Sequence, residues 1–351
     1  MRTDLAPARA GTLTGERMPR RLAARAGALW RHPWARIALA GAIVVVLVGL
    51  YLFTDVPGSL DYALKIRGRT VLAMLVVAAA IGASTVVFQT ITDNRILTPG
   101  IMGFDALYIL IQTVVVFVFG SMALATADPA TMWIVEMAVM TGFAMLLFRW
   151  LFGGRRRSGG AVRSIHLMLL VGIVFGVFFR SLSQWMQRMI DPAEFAVLQD
   201  AFFASFSRPD PQLLVFTLVI VALALAALGP LLHVLDVLAL GEATAIGLGV
   251  RHRAVVTALF GLVAVMVAAS TALVGPIMFF GLIVANLAYG LAGSFRHRHV
   301  LPLAILLGLV CLVGGQLVLE RIFALQTTLS VIIEFAGGIL FLFLVLRKGA
   351  R

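Results

Sequence analysis

The residues able to do covalent chemistry are few, and none stands in a working arrangement. No G-x-x-x-x-G-K-[ST] phosphate loop occurs, and Lys65 and Lys348, the only lysines, lie outside any glycine-rich loop. The chain is therefore not expected to hydrolyse ATP. It has no G-x-S-x-G elbow and no H-E-x-x-H pair. Its histidines are His32, His166, His233, His252, His297 and His299. His297 and His299 are two apart, a spacing that does not share one helix face, and they read as part of a basic loop. No metal site, cofactor or catalytic residue is expected in this chain. Cys311 is the only cysteine, so neither a disulfide framework nor a cysteine metal cluster can form within one chain. It lies in an apolar run and reads as a small packing residue.

Ionisable groups inside apolar runs are costly and mark pathways or protein contacts. Glu136 and Glu334 sit one or two turns inside their runs, and Glu320 and Arg321 sit at the end of another. Two readings stand side by side: a polar vestibule, or local partners for Glu136 and Glu334 with Glu320 and Arg321 at the water interface. The stretch from Leu238 to Val250 reads L-A-L-G-E-A-T-A-I-G-L-G-V. Its small residues, among them Ala239, Ala243, Ala245, Gly247 and Gly249, admit a close partner. Glu242 falls near the start of a short helix, where the dipole favours an acid. A flexible turn is the plain alternative; a docking element is the reading preferred here.

The elements that position these residues follow from composition. The 351 residues are 61% hydrophobic and 13% charged, with mean hydropathy +1.04. A soluble domain would be about a quarter charged. Lipid must therefore solvate most of the chain. Apolar runs fall near 37–53, 71–90, 106–124, 132–152, 165–179, 213–232, 255–273, 277–291, 301–319 and 329–346. Each approaches the roughly 20 residues that a spanning helix needs. Barrel strands would alternate apolar and polar, and these runs do not. The expected fold is an all-α integral membrane protein of about ten transmembrane helices. Residues 1–36 form a basic cytoplasmic tail and 37–351 a transmembrane domain. The eighth run opens at Gly275 and Pro276, so a tight corner leading straight into a helix is expected there. The segment 180–211 is too polar to span, and Trp185 and Met186 suggest a short interfacial helix within it.

The net charge of +12 is almost all arginine. On a soluble protein it would point to nucleic acid; here the arginines cluster at the ends of apolar runs and act as topology determinants. With the tail inside, the clusters at Arg155 to Arg157, Arg251 and Arg253, Arg296 and Arg298, and Arg347, Lys348 and Arg351 all fall inside, and both termini are cytoplasmic. Asp128, Asp191, Glu194 and Asp200 fall outside. Lys65, Arg67 and Arg69 break the pattern, reading as an outer loop before the second helix.

The 238–250 stretch resembles L-A-L-G-E-x-A-x-x-L-G-V, the ATPase-coupling segment of the iron-siderophore and vitamin B12 (FecCD-type) permease family of ABC importers. Leu240, Gly241, Glu242, Ala245, Gly247, Gly249 and Val250 fit, with Ile246-Gly247 a local departure. F-Q-T-I-T-D-N-R-I-L-T-P-G-I-M-G-F-D at 88–105 is similar to the family's Q-x-x-x-x-N-P-L-A-x-P-x-x-L-G. The stretch from Gly275-Pro276-Ile277 through Gly281-Leu282-Ile283-Val284 is similar to G-P-I-x-F-x-G-L-I-V, and Pro302 opens the ninth helix as expected. Ala285-Asn286 replaces the family's P-H, and Thr328-Leu329-Ser330-Val331 replaces its L-P-x-G. The variants F-Q-T-I-T-x-N-R-I-L-T-P and G-G-Q-x-x-x-E-R resemble the branch associated with catecholate-type siderophores. The resemblance implies the type II ABC importer permease fold in the bacterial cytoplasmic membrane. It implies a second permease subunit, alike or different, two cytoplasmic ABC ATPases that bind ATP, and an extracytoplasmic binding protein that delivers the ferric siderophore. It also implies that Arg69 and Arg321, with Arg67 a less regular neighbour, receive acidic residues of that binding protein. Vitamin B12 or heme remains an alternative cargo. A secondary transporter would need ion ligands at mid-depth and often shows inverted repeats, and neither is evident.

Overall fold

The computed structural model describes residues 32–54, 60–152, 165–206, 209–321 and 328–349. Among them all regular structure is helical, and no strand occurs. In chain order the helices are α1 (Pro33–Phe53), α2 (Leu60–Ile91), α3 (Phe104–Phe119), α4 (Ser121–Thr126), α5 (Pro129–Phe152), α6 (Ile165–Gln187) and α7 (Pro192–Asp200). Then come α8 (Pro211–Leu228), α9 (Leu232–Leu238), α10 (Glu242–Gly247), α11 (His252–Val274), α12 (Phe280–Ala292), α13 (His297–Arg321) and α14 (Leu329–Gly349). Each of the ten apolar runs is occupied by a helix. Six are long and apolar enough to cross a membrane, while Phe104–Phe119, Phe280–Ala292 and Leu329–Phe343 are apolar but shorter.

Local chemistry sets the helix ends. Asp191 and Asp210 each accept a backbone N–H of the first turn, and Pro192 and Pro211 follow them, so α7 and α8 both open on an Asp-Pro pair. Gly120 closes α3 at φ +79° and Gly293 closes α12 at φ +62°, conformations open to glycine without a Cβ penalty. The third run is thereby cut at Gly120 into α3 and α4 rather than continuing to Leu124.

The helix α2 is the centre of the bundle: 78% of its apolar span is buried, against 11% for α1. It packs on α13, α11, α12 and α8, while α13 also packs on α1 and α12, and α11 on α5. Lipid supplies no hydrophobic drive between helices, so close backbone approach must supply it through dispersion. Small residues permit that approach. A Cβ on Gly308 of α13 would lie 3.1 Å from Ala78 Cβ, and one on Gly82 of α2 would lie 3.4 Å from the Ala304 carbonyl.

The alternation of the helices sorts their ends. At one end, Arg36 Nη1 donates to the Leu291 carbonyl at 2.8 Å, Trp34 packs edge-on against His299, and Asp236 meets His297. Arg251, Arg253, Arg296 and Arg298 flank this end. At the other, Thr70 Oγ1 donates to the Phe206 carbonyl at 3.1 Å and Ser205 N–H to the Val274 carbonyl at 2.8 Å. Tyr51 lies there against Glu320.

Several expectations need correction. Lys65, Arg67 and Arg69 are not in a loop, because α2 begins at Leu60 and carries all three. The short helix of the 180–211 segment is Pro192–Asp200, while Trp185 and Met186 belong to the last turn of α6. His297 and His299 are not loop residues but buried members of the first turn of α13. Pro276 starts no helix. Gly275 holds φ +94°, Phe279 holds φ +59°, and residues 275–279 stay non-helical until Phe280. A residue before proline is driven to extended geometry, and a left-handed Phe279 interrupts the chain a second time. The basic loop at 153–163, most of the tail at 1–31 and Arg351 lie outside the described residues.

Candidate functional site

The sequence-predicted coupling residues form a compact projection. Gly241 (φ +96°) turns the chain out of α9, and Gly249 (φ +84°) turns it back toward α11, with α10 between. Ala245 is fully buried and anchors the projection, since the Val250 N–H reaches the Ala245 carbonyl at 3.0 Å. Leu240 and Leu248 are 62% and 63% exposed, and Ile246 is exposed with them. The turn thus holds an exposed apolar trio outward at the arginine-flanked end, the kind of patch that suits a protein contact. Glu242 stands 3.7 Å from His252 and is also exposed. Around Gly241, Gly247 and Gly249 nothing approaches within 4 Å of a would-be Cβ.

At the opposite end the three basic residues have separate fates. Lys65 pairs with Asp61 at 2.8 Å on the same helix face. Arg67 Nη1 donates to the carbonyls of Tyr51 and Thr54 at 2.9 and 2.7 Å, with its guanidinium over the Tyr51 ring. It thus bonds two carbonyls at the end of α1, so that Lys65 and Arg67, two of the three exceptions to the charge pattern, each have a local partner. Arg69 is exposed on α2 beside Thr70, which bonds the Phe206 carbonyl, and Arg321 is exposed at the last residue of α13.

Between the two ends, two interruptions of the helical chain line one cavity. The stretch after α2 turns through Asp93, which adopts φ +48°, and a 3-10 turn at Pro99–Met102 before α3 starts. It rests on α6 through backbone contact: a Cβ on Gly103 would lie 3.1 Å from Gly176 Cα. The non-helical 275–279 segment closes the other side. Together they wall a cavity of about 360 Å³ lined by Thr98, Asp105, Arg180, Ser181, Gln184 and Met278, among others. Asp105 lies within electrostatic reach of Arg180 and Glu334, and the Glu334 carboxylate sits against the Met278 backbone N–H. Irregular backbone at membrane depth persists where it is buried in protein or lines a wet cavity. Arg180 is exposed on α6 among exposed Val174, Val177 and Phe178, a position no arginine holds against lipid without cost.

This resolves the two glutamates differently. Glu136 is 3% exposed and accepts from Gln112 Nε2 at 2.6 Å, so it has a local partner on α3. Glu334 stands behind the cavity, its carboxylate against the Met278 backbone N–H and within electrostatic reach of Asp105, two residues that do line it. Sequence reasoning missed Asp105 and Arg180. Arg180 carried a signal, a lone cation following an apolar stretch, but it was counted into the outer segment.

Residues 48–347 match the FecCD transport family. The petrobactin import system permease protein YclO of Bacillus subtilis (strain 168) is 43% identical over 313 residues, covering 89% of this chain and 97% of that protein. The petrobactin import system permease protein FatC of Bacillus anthracis is 37% identical over 288 residues, covering 82% and 79%. A solved structure described as an inward-facing conformation of a metal-chelate type ABC transporter superposes with a TM-score of 0.76 at 22% identity, covering 89% of this chain and 99% of that one. With the family match spanning most of the chain and the helical architecture shared, this polytopic membrane protein belongs to the FecCD transport family.

Proposed function

We propose that the chain is the membrane-spanning subunit of an ABC importer for a ferric siderophore of the catecholate type, in the bacterial cytoplasmic membrane. The single observation that carries the substrate class is the 43% identity, over nearly the full length of both chains, to a petrobactin import permease. The geometry supports the mode of action. One end offers the Leu240–Gly249 projection to a cytoplasmic ATPase, the other offers Arg69 and Arg321 to a binding protein, and a cavity with Asp105 and Arg180 in a mainly apolar lining lies between. Arg67 bonds the carbonyls of α1, while Arg69 and Arg321 are exposed at the same end and carry the docking role in this reading. The permease performs no covalent step and binds no nucleotide itself. ATP is bound and hydrolysed by the partner ATPase, and a second permease subunit, identical or related, completes the path.

The test is reconstitution in proteoliposomes with the cognate ATPase and binding protein. ATP-dependent accumulation of radiolabelled iron supplied as a catecholate chelate is expected. Accumulation of cobalamin or heme, with none of the iron chelate, would reassign the cargo within the family.

A further inference from the structure

Behind the α10 projection, three side chains form a bonded line across three helices. Asp236 stands on α9, which runs directly into Leu240. It is the single acidic residue between Asp210 and Glu242. Its Oδ1 accepts the His297 backbone N–H at 2.8 Å and lies 2.7 Å from His297 Nδ1. A carboxylate can only accept, so Nδ1 carries the proton that faces it. His297 is the first residue of α13, and its N–H is one that helix geometry leaves without a partner inside the helix. Asp236 thus caps α13 from another element. On the far edge of the ring, Nε2 lies 2.7 Å from Thr90 Oγ1, in the last turn of α2. His297 is 1% exposed and Thr90 8%.

The line continues inward. Next to Thr90, Gln89 Nε2 donates to the Arg95 carbonyl at 2.8 Å, and Asn286 of α12 donates to the same oxygen at 3.1 Å. The Arg95 guanidinium lies over the Tyr289 ring at 4.5 Å. Arg95 belongs to the stretch that leads to Thr98 and Gly100 on the cavity wall. Buried hydrogen bonds in a low-dielectric setting are costly to leave unmade, so α9, α13 and α2 cannot slide past one another without exposing an unpaired group.

We propose that His297 is a positioning residue for transport, a rigid link by which movement of the α10 projection is carried to α2 and α13. This rests on the reading of Leu240–Gly249 as the ATPase-facing segment. The fold needs a polar tie here only for stability; transport needs it for the ratio of chelate moved to ATP spent, and that ratio separates the two roles.

The experiment measures both quantities in proteoliposomes holding permease, ATPase and binding protein. Thr90→Val removes the hydroxyl at nearly constant volume. His297→Asn keeps a donor toward Asp236 and cannot reach Thr90. Thr90→Ser restores the hydroxyl. The first two are expected to lower chelate imported per ATP by roughly 2- to 30-fold, the range over which single changes in a connected network alter coupling. Thr90→Ser is expected to restore the wild-type ratio. An unchanged ratio in Thr90→Val and His297→Asn overturns the proposal, including where their melting temperature or assembled yield falls, since that marks a structural tie alone. A separate arm cross-links Ala243→Cys to the ATPase. Failure of that cross-link in otherwise wild-type transporter overturns the reading of α10 and the link with it. A formed cross-link with an unchanged ratio overturns the link alone.

Discussion

Gly241 combines a conformation that side chains rarely adopt with empty space around its Cα. Strain of about 1–3 kcal/mol is expected for any other residue at such a φ and ψ. The segment is exposed, so that cost stays local. Gly241→Trp and, separately, Glu242→Arg are therefore expected to leave the permease inserted and the ATPase active. Uptake should fall by about tenfold or more, the effect of roughly 1.4 kcal/mol lost at a contact. Normal uptake in both variants would remove α10 from the mechanism. At the other end, exposed charge pairs contribute only about 0–1 kcal/mol each but steer encounter. Arg69→Glu combined with Arg321→Glu should slow binding-protein association and flatten its dependence on salt, while basal ATP hydrolysis survives. Association rates followed across a salt series check this, and an unchanged slope would return both arginines to lipid headgroups. The exposed turn at 240–249 was legible because small residues, a glycine pair and a lone glutamate share one polar interruption. The use of Arg67 was not, because capping a neighbouring helix depends on where α1 ends against α2, which no local pattern encodes.

Element boundaries carry a second layer of information. Hydropathy placed ten runs correctly, since lipid demands apolar side chains along the whole of each helix. The Gly275-Pro276 pair signalled a corner, but nothing in the pattern placed the break at Gly120 or carried the corner on to Phe279, since both leave the chain apolar while interrupting its hydrogen bonds. The cavity was illegible for the same reason: Thr98 with Asp105, Arg180 and Met278 come from three separate stretches of sequence and converge only through packing. The contact that holds this convergence is backbone on backbone at Gly103 and Gly176. Gly103→Ala must place a Cβ at φ +93° and 3.1 Å from Gly176 Cα. It should destabilise by about 1–3 kcal/mol from the backbone alone, with the clash added. Gly176→Leu pushes the same turn from the other side. Both are expected to abolish iron uptake and to lower the melting temperature in detergent. Gly142→Leu, on a face of α5 with nothing within 4 Å, serves as the control and should change neither. If Gly176→Leu transports normally, the turn is not held against α6 as described.

At the scale of the whole molecule, the packing fixes which loops share an end, and we propose from the arginines flanking that end that it faces the cytoplasm. The first step rests on contacts: Arg36 with Leu291, Trp34 with His299 and Asp236 with His297 gather the start of α1, the end of α12, the start of α13 and the approach to α10. The second rests on the positive-inside bias, which the engaged roles of Lys65 and Arg67 no longer contradict. In a Cys311→Ala background, Ala243→Cys on α10 should react with a membrane-impermeant maleimide only in inverted vesicles. Ala127→Cys, before α5, and Ala193→Cys, in α7, should react only in intact cells. All three positions are exposed, so access and not burial decides the outcome. The outer pair is the sharper half of the test. With the 153–163 segment inside, Ala127 and Ala193 can both lie outside only if α5 and α6 each cross the membrane. Labelling of Ala127 and Ala193 from opposite sides would mean that one of those helices does not span. Labelling of Ala243 from outside would invert the whole bundle and place the projection that we assign to the ATPase on the wrong side of the membrane.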